Sequence, residues 1–289
     1  MWFKKKIRGV ALGGGGARGI ASLGVLKVLH DINKPPRVVA GTSMGAIIGG
    51  LYACYQDLEK VEKKINKVTD SIEFKRLTEE FKNNIKKISD EKNNIKAKFK
   101  RGYNRIYNLS KITSGVNIIG KKYIDPVIDN LIPEISIEEL PLKFCCVSTD
   151  LKSGRKVAIK KGNLSAAIKA STAIPGIFPP RRVKNMLLTD GGTVSLVPVE
   201  EVVEMGANYT IAVEVMEEIT PGVVLKNGLD ILNRVSKITS NHLNRRIIEK
   251  ADLVISPSVK ELSWDAFNKK DYCIKAGEAA AYRAKDKIK

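Results

Sequence analysis

Residues Val10 to Leu26 read VALGGGGARGIASLGVL: an apolar run, four glycines, an arginine and a second apolar run. Ile7 to Leu12 predicts a short buried strand that the glycines end at once. From Gly19 onward Ile20, Leu23, Leu26 and Leu29 recur every three residues, with Val25 and Val28 beside them. That spacing predicts a largely buried helix reaching about His30. The stretch KPPRVVAGTSMG repeats the theme, with a turn, a strand at Arg37–Ala40 and a tight bend at Gly41–Gly45. A helix through AIIGGLYACY follows. Strand, loop, helix, strand, bend, helix is the rhythm of an α/β fold with parallel strands.

Further along, Leu58 to about Phe99 changes character. Leu58, Val61, Ile65, Val68 and Ile72 keep helical spacing, but lysines fill the positions between them and KNNIKKISDEKNNIKAKFKR ends the segment. This predicts a basic amphipathic helical insertion at about 57–111, either packed on the core with a solvated face or acting as a lid toward an anionic interface. The sheet rhythm resumes with LKFCCVSTDL (Leu142–Leu151), a turn at KSGRK, the strand VAI and a helix NLSAAIKAST. NMLLTDGG predicts a strand, VEEVVEMGA a helix and YTIAVEV another strand. A helix at Leu229–Lys250, the strand DLVISP and an Ala-rich helix near Ile274–Lys287 form a C-terminal helix-strand-helix unit at about 228–289. With no internal repeat or low-complexity linker, residues 1–289 are expected to form a single domain.

The chain has 289 residues, enough for a large core, and 43% of them are hydrophobic, as in globular proteins. Its charge is less ordinary: 50 Lys+Arg against 31 Asp+Glu, a net +19, which favours nucleic acid or an anionic membrane face as partner. No DNA-reading motif or aromatic single-strand platform accompanies that charge, so no nucleic acid is expected. Cys145 and Cys146 adjoin in an apolar run, while Cys54 and Cys273 lie in helical patterns. Four such cysteines make no disulfide framework and suit a reducing cytoplasm. The N-terminal MWFKKKIRGVALGGGG imitates a signal peptide, but its apolar run is short, glycine-rich and cut by Arg18. No window is apolar for the roughly 18 residues of a membrane span. The expected location is cytoplasmic, or peripheral at the inner membrane face.

The glycine run decides between chemistries. GGGARG (Gly14–Gly19) satisfies G-x-G-x-x-G between a strand and a helix. A dinucleotide fold, however, also needs an acid about twenty residues on, and the second strand runs into GTSMG instead. A P-loop fails because Ile20, not lysine, follows Gly19. The loop can instead hold an oxyanion on the backbone N–H groups of Gly14, Gly15, Gly16 and Ala17, beside a helix N-terminus. GTSMG supplies the matching nucleophile: G-x-S-x-G between strand and helix puts Ser43 on a sharp turn, with Gly41 and Gly45 small where chain passes close.

A serine hydroxyl needs a base. Of the two histidines, His30 ends a helix and His242 sits in a polar helix, neither within a motif. Asp190 in LLTDGG, followed by Gly191 and Gly192, is the better candidate. It ends a strand, at the edge where parallel sheets place their chemistry. An ordinary carboxylate titrates near 3.9 and is a weak base, so the site must raise it by burial.

Taken together, GGGARG, GTSMG and DGG (Asp190–Gly192), in that order, resemble the patatin-like phospholipases, acyl hydrolases that use a Ser–Asp dyad. STDLKSGRKV and IKASTAIPGIFPP resemble bacterial members, and the likeness covers roughly Lys6 to Val215. Where such proteins often carry an asparagine close to PV, this chain has Ser195 and Leu196. The resemblance implies a three-layer α/β/α fold with a mostly parallel central sheet. It also implies hydrolysis of a lipid or other acyl ester by Ser43 and Asp190, of phospholipase A or lysophospholipase type, with no metal or cofactor. Arg18 and Gly19 complete the loop motif, Arg18 either bracing the loop or attracting a phosphate. Two other readings stay open: a lipid-binding or regulatory protein with an unused dyad, and a nucleotide-binding protein using the glycine loop. Oligomeric state is not legible.

Overall fold

A computed structural model describes residues 6–90 and 117–289 apart from 217, 220, 226, 227 and 260, and only the backbone of 85–90 and 229. Strand β1 (Arg8–Leu12) leads through a 3-10 turn at Gly16–Ile20 into α1 (Ala21–Asp31). Strand β2 (Val38–Thr42) leads into α2 (Met44–Tyr55). Then come α3 (Leu58–Thr69), α4 (Ile72–Asp90) and α5 (Lys121–Leu131). Next are β3 (Lys143–Asp150), β4 (Lys156–Ile159), α6 (Leu164–Ser171), β5 (Arg181–Val183) and β6 (Met186–Asp190). The chain finishes with α7 (Val199–Glu204), β7 (Tyr209–Val213), α8 (Gly228–Ile248), β8 (Leu253–Ile255) and α9 (Lys270–Ala284).

Among the described residues the strands form one sheet in the order β5-β6-β3-β2-β1-β7-β8, with β4 on β3. The centre, from β3 through β2, β1 and β7 to β8, is parallel. β4, β5 and β6 pair antiparallel. Alternate residues of the central strands point to opposite faces, as the two-residue period of a strand requires. Val10, Leu12 and Val39 join a large apolar cluster with α1, α2, α3, α5, α6 and α9. Ala11, Val38 and Ala40 join a smaller one with Val199 and Val202 of α7 and Ile247 of α8. Two helical layers thus enclose the sheet, a three-layer α/β/α fold.

The register fixes one further point. Cys146 and Val147 of β3 pair with both β2 and β4, and Ser148 and Thr149 pair with both β4 and β6. A strand residue has only two edges, so β2 and β6 share the edge opposite β4. They lie in one lane and approach each other end to end. Thr42, the last residue of β2, is opposite Val147, and Asp190, the last of β6, is opposite Ser148.

The insertion packs rather than projects. Val61, Ile65 and Val68 of α3 and Leu77 of α4 are buried in the large cluster, against Ile124, Val127, Ile128 and Leu131 of α5. Sequence periodicity misses α5, where Pro126 interrupts the reading, although its apolar face is buried. Two ties hold it: Arg181 pairs with Asp125, and Lys169 pairs with Asp129 at 2.6 Å. The part of the insertion at 91–111 lies outside the described residues.

Candidate active site

Ser43 stands between β2 and α2 with φ +55° and ψ −122°, a conformation that costs a non-glycine residue about 1–3 kcal/mol. The neighbouring glycines show what holds it there. A Cβ on Gly41 would come within 2.2 Å of the Gly45 carbonyl oxygen, and one on Gly45 within 2.1 Å of that of Leu12. The bend is therefore tighter than any side chain permits. Ser171, at the end of α6, completes the support. Its hydroxyl accepts the Ser43 N–H at 3.1 Å and donates to the Val147 carbonyl at 2.7 Å.

Asp190 arrives from the opposite direction. The expected chemistry edge of a parallel sheet requires correction here, because β6 runs antiparallel to β3. Its C-terminal end meets the tip of β2 because the two strands share a lane. The Asp190 carboxylate accepts the Gly192 N–H at 2.7 Å, and the Ser43 hydroxyl is near enough to favour its charged form. Burial disfavours its charge and pushes its pKa up to about 6, against the opposing pull of those two groups. The backbone is pinned as well: Asp190 N–H donates to Ala173 at 2.9 Å, and Thr149 Oγ1 donates to the Asp190 carbonyl at 3.2 Å.

The glycine loop divides by hydrogen bonding. Gly14 N–H donates to the Leu196 carbonyl at 3.1 Å and Ala17 N–H to the Trp264 carbonyl at 2.7 Å. Those two amides are committed, which corrects the expectation that all four loop residues face an oxyanion. The N–H groups of Gly15 and Gly16 make no such bond among the described residues. Positive φ values of +151° and +59° turn that part of the loop, and a Cβ on Gly16 would lie 2.1 Å from the Trp264 carbonyl oxygen. Arg18 is buried and its Nε donates to the Gly15 carbonyl at 3.3 Å, a bracing contact.

Ser195 and Leu196, the departure from the family pattern, act here through the backbone. The Ser195 carbonyl accepts Thr42 Oγ1 at 2.9 Å, and that of Leu196 accepts the Gly14 amide. Both loops are thus anchored by atoms that do not depend on which side chains follow Asp190.

Ser43 and Gly16 line a cavity of about 810 Å³, within the roughly 300–1,000 Å³ of small-ligand sites. Its walls are mostly apolar, with Ile47 of α2, Ile65 of α3, Leu77 and Phe81 of α4, and Val127 and Leu131 of α5, although Lys75, Lys82 and Lys270 line it too. Trp264, which the sequence reading passes over, faces this space and stacks edge-on against Phe81 with ring centroids 5.1 Å apart. One residue thus ties the insertion to the glycine loop, a link with no local sequence signal. Neither histidine lines the cavity. His30 is 2.7 Å from the Tyr52 hydroxyl, and His242 lies on α8. Among the described residues no three His, Cys, Asp or Glu side chains are grouped as a metal ion would require.

A serine, a buried carboxylate, a turned glycine loop and a largely apolar cavity are thus brought together by separate elements of the fold. The family model for patatin-like phospholipases matches residues 10–203. An NTE-family protein of Mycobacterium tuberculosis is 32% identical over 204 residues, covering 71% of this chain and 48% of its own length. A lysophospholipase of Yarrowia lipolytica is 28% identical over 218 residues, 74% of this chain and 13% of its own. Among solved structures, VipD from Legionella pneumophila has a TM-score of 0.48 at 15% identity, covering 99% of this chain and 67% of that one. The chain spans about half the length, or less, of the curated relatives it matches. By family model and identity together, this chain belongs to the patatin-like phospholipase family.

Proposed function

We propose that the protein hydrolyses lipid acyl esters through Ser43 and Asp190, by way of an acyl-serine intermediate. The observation that carries the reading is Ser43, on its strained turn, lining a largely apolar cavity with the buried Asp190 carboxylate as its neighbour. Asp190 takes the Ser43 proton as Oγ attacks the ester carbonyl, and the tetrahedral oxyanion rests on the Gly15 and Gly16 amides. The intermediate collapses, the C–O bond breaks, and Asp190 returns the proton to the departing alcohol. Water then gives a proton to Asp190 and attacks the acyl-serine, releasing the fatty acid and the serine hydroxyl. Desolvation is what fits the carboxylate for this, since a base with a pKa near 6 holds a proton more readily than an ordinary aspartate. The cavity suits an acyl chain, and the lysophospholipase name among the relatives directs the first choice of lipid to phospholipids and lysophospholipids.

Labelling with an alkyl fluorophosphonate, read by intact mass, tests the nucleophile. A single adduct on the native chain, absent from Ser43→Ala together with hydrolysis of a short nitrophenyl ester, is the expected result. An adduct that persists in Ser43→Ala sinks the assignment. Folded protein with neither adduct nor turnover would favour a lipid-binding role instead.

A further inference from the structure

Helix α8 leaves a run of large apolar side chains facing water. Its inward face carries Asn241 and Asn244, 8% and 1% exposed, together with Ile247 of the smaller apolar cluster, while Ile231, Leu232, Val235 and Ile238 are 49%, 67%, 54% and 36% exposed. Ile231, Val235 and Ile238 follow one another at i, i+4 and i+7, so they form one outward stripe. The segment leading into the helix adds Val223, Val224 and Leu225, of which Val224 is 74% exposed. An apolar patch of this kind marks a surface that meets something other than water.

Charge identifies what it meets. Helix α8 contains Arg234, Lys237, Arg245 and Arg246 against the single acid Asp230. Arg245 and Arg246 lie exposed about two turns beyond the apolar stripe. Apolar side chains followed by cations on one helix are the pattern of an element lying in the plane of an anionic bilayer. A second copy fits poorly, because it would bring the same cations of two chains, each of net charge +19, toward one another. Position supports the assignment. The polar side of α8, through Ser236, Lys237 and Ser240, closes a cleft of about 200 Å³ with Arg18 of the glycine loop and Gly192 beside Asp190. A helix lying on lipid through its far face would hold the candidate active site next to the membrane surface.

We infer that α8 seats this protein on anionic membranes. Ile231, Leu232, Val235 and Ile238 enter the acyl boundary, and Arg245 and Arg246 meet lipid phosphates. The inference goes beyond the hydrolase reading, and binding is measured on the Ser43→Ala protein so that the two stand or fall separately. Cosedimentation uses vesicles of phosphatidylcholine alone and of equal parts phosphatidylcholine and phosphatidylglycerol. Binding to the mixed vesicles that weakens with salt is expected. The pair I231Q/V235Q should weaken it at least about tenfold, as expected for removing two side chains from the apolar phase. R245E/R246E should erase the preference for the anionic vesicles.

The same substitutions in the chain with Ser43 intact should leave the melting temperature and hydrolysis of a soluble nitrophenyl ester unchanged. If I231Q/V235Q fails to fold, the surface pair R245E/R246E decides alone. Absence of vesicle binding by the parent protein, or binding that ignores both pairs, overturns the inference. So does a parent dimer, seen by light scattering, that I231Q/V235Q dissolves without any change in vesicle binding.

Discussion

At Ser43 the backbone carries a strain that can be measured directly. Replacing serine by glycine removes the steric conflict at φ +55°, whereas alanine keeps it. Ser43→Gly should therefore unfold at a higher temperature than Ser43→Ala, by an amount equivalent to about 1 kcal/mol after the unfolded-state entropy of glycine is counted. Asp190 carries a second penalty, of solvation. In the unfolded chain it ionises near 3.9, but in the folded chain it holds its proton up to about 6. Between these values the folded state binds more protons, so stability falls as pH rises through the window and stays lower above it. The loss is about 3 kcal/mol at full effect. Asp190→Asn has no such proton to lose. It should be more stable than the native chain at pH 8 and similar to it at pH 4 in denaturant melts, while ester hydrolysis is lost. A native rate that rises with pH through about 6 would accompany this; a rate flat across that range would speak against Asp190 as the base.

Among the elements, α3, α4 and α5 would, on the proposed hydrolase reading, set which acyl chains the cavity accepts. Their apolar faces line it, and the Asp125–Arg181 and Asp129–Lys169 pairs hold α5 against β5 and α6. Val127→Trp adds bulk to the cavity wall well away in sequence from either motif. Hydrolysis of long-chain esters should fall at least about tenfold, and that of short nitrophenyl esters should change little. Equal losses on both would mean that the acyl chain lies elsewhere. The periodicity of α3 and the start of α4 was legible, since apolar residues at helical spacing need only a local pattern. What that face packs against was not. A basic amphipathic helix reads the same whether its apolar side covers a cavity or a membrane, and here the buried Val61, Ile65 and Val68 settle it. In α8 the first turns leave Ile231, Leu232, Val235 and Ile238 exposed, which no periodicity in the sequence announces.

Across the whole molecule the net charge of +19 sets a background of self-repulsion. Salt screens interactions beyond about 8 Å at physiological ionic strength, so raising it from near zero should raise the melting temperature at pH 7. A melting temperature that falls with added salt would instead mean that attractive pairs, such as Lys156 with Glu200 and Glu201 at 2.6 Å each, outweigh the repulsion. The same salt should weaken membrane seating through α8, so stability and lipid binding are expected to move in opposite directions.

The sequence by itself determined the alternation of strands and helices, the glycine loop at the end of β1, the bend at Ser43 and the acid at Asp190. Each of these is a local property. A glycine is required where a side chain will not fit, and hydrophobic period follows element type. Tertiary structure alone decided that β6 runs antiparallel in the lane of β2, and that Gly14 and Ala17 commit their amides to Leu196 and Trp264. It also decided that Ile231, Leu232, Val235 and Ile238 of α8 face outward. These outcomes depend on partners distant along the chain, because strand pairing, amide satisfaction and burial are settled only when those partners meet in space.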